Sequence, residues 1–347
     1  RREQAAGRFL YSATGTPLPD SEPLGNNDTG NTANTALLPW DDELLALWEG
    51  GSAYRVNPGN LDTLGRKDWR EDLKHMPFSA HPIADPNGTL WNFGSAPYAG
   101  DNGMLFVYRI EPGRGLTHAQ PVNLPMRSYM HSFAVSERYL VFYLAPHLYE
   151  RGGTNFVDSF HWQPEAGGKL LIIDKNDLTK QRWFDAPSGF IFHCANAFER
   201  GSELVMRASL CSTSAVMASG MFEIMQGPSP DNYPDYPRAQ LATFRLDLRS
   251  GRCRAEASDT LLEFPGVDQR FVCEATAVHG VGHGGTGERG IVVLLQGVRD
   301  RPGHGDPVHS IVAVAVRVAD GVQGWRRRAH AHVLGVTPDA VAAGVGR

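Results

Sequence analysis

Residues 139–146 read YLVFYLAP and residues 169–179 read KLLIIDKNDLT, so two short apolar runs each end in residues typical of turns. The same pattern occurs in MLFVYRIEP at 104–112, in ELVMRASL at 203–210 and in LATFRLDLRSG at 241–251. Short apolar runs between Gly, Pro, Asn and Asp residues are typical of β-strands. Because many such runs follow at a regular spacing and long amphipathic helices are scarce, the sequence predicts an all-β sandwich, barrel or propeller.

The chain divides into three parts by composition. Residues 1–39 are rich in Pro, Gly, Asn and Thr and are predicted to form an irregular N-terminal segment. Residues 40–272 carry the regularly spaced strands and form the predicted main domain. Residues 273–347 differ from both, because Trp325 is the only aromatic residue after Cys273. Since aromatic side chains fill protein cores, this last part is interpreted as a divergent tail.

Composition and charge exclude several classes of protein. The formal net charge of -5 provides no basic surface for nucleic acid, so no nucleic-acid partner is predicted. No run of 18 apolar residues is present, which argues against a membrane-spanning helix. The sequence begins Arg1-Arg2-Glu3-Gln4 without the apolar core of a signal peptide, and its 4 cysteines form no C-x-x-C pair. A reduced, cytoplasmic chain is therefore expected.

Three of the 13 histidines stand in apolar or small-residue segments at the edges of predicted strands. His81 lies in PFSAHPIADP, His131 in SYMHSFAVS and His193 in GFIFHCANAFE, at separations of 50 and 62 residues. A single buried histidine is usually a core residue, and that alternative stays open for each of them. Separations of about one propeller blade would instead bring one imidazole per blade to the propeller axis. Neutral imidazoles there would suit iron, copper or zinc.

Two glutamates occur in similarly apolar surroundings. A metal-bound histidine usually donates its other ring N–H to a carboxylate, which makes such glutamates candidate partners. Glu49 in ALWEGG and Glu263 in LLEFPGVD are flanked by apolar residues, where an unpaired carboxylate would be unfavourable. The alternatives are a turn residue before Gly50 for the first and a surface position on an edge strand for the second.

Several stretches occur together in the order found in one known family. They are ELLALWEGGSAYRVNPGNLDTLG, PFSAHPIADPNGTLWNFG, MHSFAVSERYLVF, FHWQPEAGGKLLIIDK, FHCANAFE and LLEFPGVDQRFV. Through them, roughly residues 30–272 resemble the carotenoid cleavage oxygenase family. That family includes apocarotenoid oxygenases, plant epoxycarotenoid dioxygenases, lignostilbene dioxygenases and the retinoid isomerohydrolase.

The resemblance implies a seven-bladed β-propeller, incomplete in this chain, with a cap of loops and short helices. It also implies an Fe²⁺ cofactor held by four histidines, with His81, His131 and His193 as the first three. Glu49 and Glu263 would be two of the three carboxylates behind those ligands. The expected reaction is O₂-dependent cleavage of a conjugated C=C bond in a carotenoid or apocarotenoid, which gives two carbonyl products.

A polyene offers little to hydrogen-bond, so its binding site should be an apolar tunnel. The candidate lining residues beside the site are Trp48, Phe78, Phe133 and Phe192, with plain core packing as the alternative for each. Stilbene-cleaving members of the family resemble one another in having a lysine directly before the first glutamate, and Trp48 occupies that position here. This difference favours carotenoid substrates over hydroxystilbenes. Because polyenes dissolve in bilayers, peripheral membrane contact is a further expectation.

The resemblance ends near Val272. Beyond it, no fourth histidine and no third glutamate is found in a family-like context, so His279 and the later histidines are not assigned. A shift of reading frame near Cys273 is one hypothesis for this tail, and a divergent or truncated relative is the other. Because an incomplete propeller leaves open sheet edges, the chain is expected to be poorly soluble or inactive. The alternative functions are therefore an inactive propeller that binds apolar ligands or partners, or a stilbene-cleaving dioxygenase.

Overall fold

The computed structural model describes residues 26–152, 159–217, 237–276, 278–283, 289–297 and 310–317. Within these ranges the chain forms five four-stranded sheets and one two-stranded sheet, all antiparallel in their named pairings. The first sheet contains β1 (Ala36–Trp40), β2 (Glu43–Leu47), β3 (Tyr54–Val56) and β4 (Thr63–Arg66). The second contains β5 (Ile83–Ala84), β6 (Leu90–Ala96), β7 (Met104–Glu111) and β8 (Gly115–Asn123).

The third sheet is interrupted by a hairpin. It contains β9 (Ala134–Val135) and β10 (Tyr139–Leu144), after which β11 (His147–Tyr149) and β12 (Phe160–Trp162) pair with each other. The sheet then continues with β13 (Gly168–Asp174) and β14 (Asp177–Ala186). Short 3-10 turns cover Glu71–Leu73, Pro164–Ala166 and Gln269–Phe271.

The last two sheets follow directly along the chain. The fourth contains β15 (Phe190–Arg200), β16 (Glu203–Cys211), β17 (Gln240–Asp247) and β18 (Cys253–Leu261). The fifth contains β19 (Glu263–Gly266), β20 (Val278–His283), β21 (Arg289–Gly297) and β22 (Ser310–Arg317). Because β15 contacts both β9 and β19, the first strands of neighbouring sheets face one another. Successive four-stranded meanders arranged in this way are the blades of a β-propeller, so the predicted all-β propeller fold is confirmed.

Two of the predicted boundaries can be compared with the strands. β1 begins at Ala36, inside the segment 1–39 that the sequence predicts to be irregular. It pairs with β2 across the two-residue connection Asp41-Asp42, where Asp41 has a φ of 48°, a conformation that aspartate tolerates. Strand pairing also continues beyond residue 272, because β20 pairs with β19. Residues 1–25 and the tail histidines His304, His309, His330 and His332 lie outside the described residues.

The core consists of three clusters of buried apolar side chains that lie between the sheets. One is centred on Phe190 and Phe244, one on Phe93 and Phe142, and one on Leu45 and Tyr108. None of the described helical segments has the length and apolar character needed to cross a membrane.

A glycine allows one loop to lie flat on the second sheet. A Cβ atom at Gly94 in β6 would stand 1.9 Å from the carbonyl oxygen of Pro77. Close approach of this kind requires glycine, since any other side chain would displace the loop. The loop that follows Pro77 leads directly to His81, so this contact helps to set the position of that histidine.

A buried ion pair joins the second and third sheets. Lys175 Nζ lies 2.7 Å from Asp85 Oδ2, and the two side chains are only 7% and 2% exposed. Asp85 also accepts hydrogen bonds from Trp91 Nε1 and from the backbone N–H of Thr89. Burial by itself raises the pKa of Asp85, but the hydrogen bonds from Lys175 and Trp91 outweigh it and lower that pKa. The carboxylate is therefore charged and paired.

We expect Lys175→Met to reduce the free energy of unfolding by about 3–5 kcal/mol, because it leaves the Asp85 carboxylate buried without its cation. The measurement is chemical unfolding followed by circular dichroism. Lys169→Met is the matched control, since Lys169 pairs with Asp185, whose side chain is 91% exposed. The control should cost about 1 kcal/mol or less. Equal losses in the two variants would contradict this account of the sheet interface.

Candidate metal centre

The three histidines singled out in the sequence come together at the first strands of the sheets. Ligand atoms of His81, His131 and His193 all lie within 4.8 Å of one another. The Nε2 atoms of His81 and His131 are 2.8 Å apart. Ring centroids of the three pairs are 4.4, 5.1 and 4.9 Å apart. This His triad is the only cluster of three or more possible metal-ligating side chains in the described part of the chain.

Each histidine reaches the cluster from a different sheet. His81 precedes β5 of the second sheet and His131 precedes β9 of the third, whereas His193 lies within β15 of the fourth. In β15, Phe192 and His193 stand opposite Ser209 alone, because the pairing passes from Ile191–Leu210 to Cys194–Ala208. The extra residue forms a β-bulge, and bulges commonly redirect a side chain at a functional site.

Two serine hydroxyls connect the segments that carry the triad. Ser79 Oγ accepts a hydrogen bond from the His81 backbone N–H at 3.2 Å and donates one to the His131 carbonyl oxygen at 3.4 Å. Ser132 Oγ accepts a hydrogen bond from the Cys194 backbone N–H at 2.8 Å. The three segments come from separate sheets, so no strand ladder within a single sheet holds them together. The two serine hydroxyls supply hydrogen bonds between them instead.

Glu49 and Glu263, the two predicted carboxylates, contact two of the three histidines. His131 Nδ1 hydrogen-bonds Glu49 Oε1, and His193 Nδ1 lies 2.7 Å from Glu263 Oε2. A carboxylate at Nδ1 holds the proton on that nitrogen and leaves the Nε2 lone pair available to a metal. The pairing therefore orients both rings towards the centre of the triad.

Each carboxylate has a second hydrogen-bond donor. The Tyr129 hydroxyl donates to Glu49, at 2.9 Å from Oε1 and 3.1 Å from Oε2. The Phe264 backbone N–H donates to Glu263 Oε2 at 2.6 Å. Burial, followed by the charge and hydrogen bonding of Glu49, raises the pKa of Tyr129 well above its usual value, so the phenol stays protonated. Sequence reasoning missed both donors, although each is within two residues of a predicted site residue.

Burial also determines the charge of His81. Burial, followed by the neighbouring His131 and His193, lowers the pKa of this imidazole to about 2. A neutral imidazole is the form that binds a metal ion. Three imidazole donors, two of them with the tautomer fixed by a carboxylate, and no carboxylate among the ligands suit a borderline divalent ion such as Fe²⁺, Co²⁺, Cu²⁺ or Zn²⁺. The donor set thus fits the transition metal that the resemblance implies.

The described residues provide no fourth ligand next to the triad. His279 lies exposed in β20, and its backbone pairs with Gly266. The sequence has no fourth histidine in a family-like context, and no other side chain of the described residues takes its place beside the triad. The triad is therefore the whole donor set that can be assigned.

The four predicted lining residues lie in different surroundings. The Phe192 ring is 5.2 Å from the His131 ring, and Trp48 directly precedes Glu49 with its ring against Gly50. Phe78 instead stacks on Trp69 and Tyr108 in one core cluster. Phe133 packs against Phe93 and Phe142 in another. Core packing therefore describes the contacts of Phe78 and Phe133, and a role as tunnel lining stays a prediction for all four.

Phe264 is a further aromatic residue at the site. Its ring centroid lies 4.7 Å from that of His193, yet the residue is 65% exposed. Its φ of 49° is unusual for a bulky residue and indicates a constrained backbone at the start of β19. The side chain therefore covers one side of the triad while most of its surface remains open.

The fold and the triad together define the class of protein. A family model described as retinal pigment epithelial membrane protein matches residues 1–290. The chain therefore belongs to this family, which is the carotenoid cleavage oxygenase family of the resemblance. Isoeugenol monooxygenase of Pseudomonas putida is 28% identical over an alignment of 290 residues, and the match covers 78% of this chain and 57% of that protein.

Further comparisons agree with this assignment. Apocarotenoid-15,15'-oxygenase of Synechocystis is 27% identical over an alignment of 312 residues, and the match covers 81% of this chain and 61% of that protein. The crystal structure of a cobalt-substituted Synechocystis apocarotenoid oxygenase has a TM-score of 0.69 at 21% identity, and the match covers 91% of this chain and 73% of that chain. At that identity the likeness concerns the fold. The chain spans about 57–61% of the length of these two curated relatives.

We expect Ser132→Ala to weaken metal binding at the triad about tenfold, since outer partners of ligand segments commonly contribute effects of this size. The substitution removes the acceptor of the Cys194 N–H and so loosens the segment of His193. The measurement is a competitive Co²⁺ titration of the 347-residue chain. Ser136→Ala is the control, because Ser136 is buried and its hydroxyl donates to Glu199. Equal affinities of the two variants would contradict the expectation.

Proposed function

We propose that this chain is part of a non-haem Fe²⁺-dependent dioxygenase. The reaction would cleave a conjugated C=C bond of a carotenoid or apocarotenoid with O₂ and yield two carbonyl products. The observation that carries the proposal is the His triad itself, with the Nδ1 atoms of His131 and His193 on carboxylates. Relatives named as oxygenases support the same chemistry. Because the chain spans only part of their length, the activity proposed is that of the whole protein.

His81, His131 and His193 would hold the iron through neutral imidazole nitrogens. When bound, ferrous iron would supply the activation of O₂. Glu49 keeps the proton of His131 at Nδ1, and Glu263 does the same for His193. The two carboxylates therefore maintain the tautomers that a metal requires without entering the ligand set.

The surroundings of the triad support an apolar substrate. Phe192 and Phe264 place ring faces and edges against the imidazoles of His131 and His193. Trp48 adds an indole beside Glu49 and carries no charge. Aromatic walls of this kind bind a polyene by burying apolar surface and exclude water from the reacting bond. Arrival of such a substrate from a bilayer would involve peripheral contact of a cytoplasmic protein with the membrane, which we include in the proposal.

A second candidate is cleavage of the side-chain double bond of a phenolic stilbene or phenylpropene. The observation that favours it is the similarity to isoeugenol monooxygenases of two Pseudomonas species, at 28% and 27% identity. Isoeugenol is itself a phenol with a conjugated propenyl group. Against this candidate stands Trp48, which cannot bind a phenolate by charge. A third candidate is an inactive propeller that binds apolar ligands or partners. It differs from the first two in that the chain would take up no iron.

We expect His131→Ala to abolish iron binding and O₂ uptake with apocarotenals, because it removes one of three assigned ligands and leaves Glu49 without its imidazole. Iron content after anaerobic reconstitution and O₂ uptake are the two measurements. His118→Ala is the control, since His118 is exposed on β8 and should be dispensable. A parent chain that takes up no iron would instead support the inactive propeller.

We expect Trp48→Lys to increase cleavage of hydroxystilbenes relative to apocarotenals by about tenfold, or about 1.4 kcal/mol, since the lysine adds a charge that can pair with a phenolate. Product formation from both substrate classes, measured side by side, gives this ratio. Trp48→Phe keeps an aromatic wall without the charge and serves as the control. A parent protein that already prefers isoeugenol or a hydroxystilbene would favour the second candidate.

A further inference from the structure

The Tyr129 hydroxyl lies behind the His triad. It is 2.9 and 3.1 Å from the two oxygens of Glu49 and 3.2 Å from His131 Nδ1. The residue is 5% exposed, and its ring packs on Phe160, Phe190 and Phe192. A hydroxyl in such apolar surroundings makes a strong hydrogen bond to a carboxylate, because little water competes for the buried hydroxyl.

The two carboxylates at the site are held in parallel ways. Glu263 accepts hydrogen bonds from His193 Nδ1 and from the Phe264 backbone N–H. Glu49 accepts hydrogen bonds from His131 Nδ1 and from the Tyr129 hydroxyl. In each case one donor is an imidazole and the other is fixed by the fold. The fixed donor of Glu263 belongs to the backbone, whereas that of Glu49 is a side chain and can be removed by mutation.

We propose that Tyr129 is a positioning residue that fixes the Glu49 carboxylate and, through it, the ring orientation and tautomer of His131. The proposal rests on the proposed metal-binding function of the triad. When the Tyr129 hydroxyl is present, it orients the Glu49 carboxylate independently of His131. Without the hydroxyl, the carboxylate, whose side chain is 24% exposed, is free to rotate towards solvent, and His131 loses the partner that keeps its proton on Nδ1.

Packing and hydrogen bonding by Tyr129 can be separated. Tyr129→Phe keeps the ring contacts with the phenylalanines and removes only the hydroxyl. Tyr143→Phe is a matched control, because Tyr143 belongs to the same core cluster and is 4% exposed. Its hydroxyl donates to the carbonyl oxygens of Pro187 and Gly189 rather than to the metal centre. Both substitutions delete one buried phenolic hydroxyl.

The experiment compares the parent chain, Tyr129→Phe, Tyr143→Phe and Glu49→Gln in two measurements. The first is the dissociation constant for Co²⁺, determined by competitive titration. The second is the tautomer of the histidine rings in the metal-free chain, read from long-range ¹⁵N–¹H correlation spectra. We expect Tyr129→Phe to weaken Co²⁺ binding about 10–100-fold and to give one histidine a mixed tautomer. Tyr143→Phe should leave both readouts at parent values, with a similar loss of thermal stability.

A double substitution tests the route of the effect. In the Glu49→Gln background, Tyr129→Phe should change Co²⁺ affinity much less than in the parent, since its target is already altered. Equal affinity losses in the two tyrosine variants, or full additivity with Glu49→Gln, would overturn the proposal. If the parent chain binds no Co²⁺, the proposed function fails. The tautomer spectra then still decide the role of Tyr129, because an unchanged His131 tautomer in Tyr129→Phe contradicts it.

Discussion

The hydrogen bond between an imidazole Nδ1 and a partly buried carboxylate is the interaction on which the site depends. It occurs twice, between His131 and Glu49 and between His193 and Glu263. The histidine side chains are 11% and 13% exposed, so their polar atoms require partners within the protein. The carboxylates accept the Nδ1–H hydrogen bond and thereby direct the Nε2 lone pair of each ring towards the centre of the triad. The same contact pairs polar groups of the folded protein and prepares the triad for the proposed metal.

The propeller explains how these groups meet. Glu49 and His131 are 82 residues apart in sequence, and His193 and Glu263 are 70 apart. Each blade is a local four-stranded meander, but the first strands of neighbouring blades face one another. Side chains from several blades therefore converge, although the named strands of the described residues pair only within their own blades or hairpin. Within β15 a bulge redirects His193, and the Ser132 hydroxyl then connects its segment to that of His131.

The same arrangement relates the chemistry of the site to the proposed apolar substrate. Polar groups are concentrated behind the imidazoles, where Glu49, Glu263 and Tyr129 lie. Aromatic side chains, including Phe192 and Phe264, border the rings on other sides. A metal ion held by neutral ligands next to such walls would suit an apolar, conjugated substrate. A phenolic substrate, the second candidate, would gain from a positive charge at position 48, where this chain has Trp48.

The sequence by itself determined the strand pattern, the three histidines and the two glutamates, because short apolar runs and polar residues within them are local signals. Tertiary structure alone decided which hydroxyls and backbone groups serve the site. Tyr129 and Glu49 are 80 residues apart in sequence, and no local sequence pattern around either residue predicts their hydrogen bond. The tertiary structure also decided that Phe78 and Phe133 pack into core clusters, because an aromatic residue next to a ligand in sequence can point into the core or into the site. Local sequence patterns specify the strands, whereas the packing of blades specifies which residues become hydrogen-bond partners at the site.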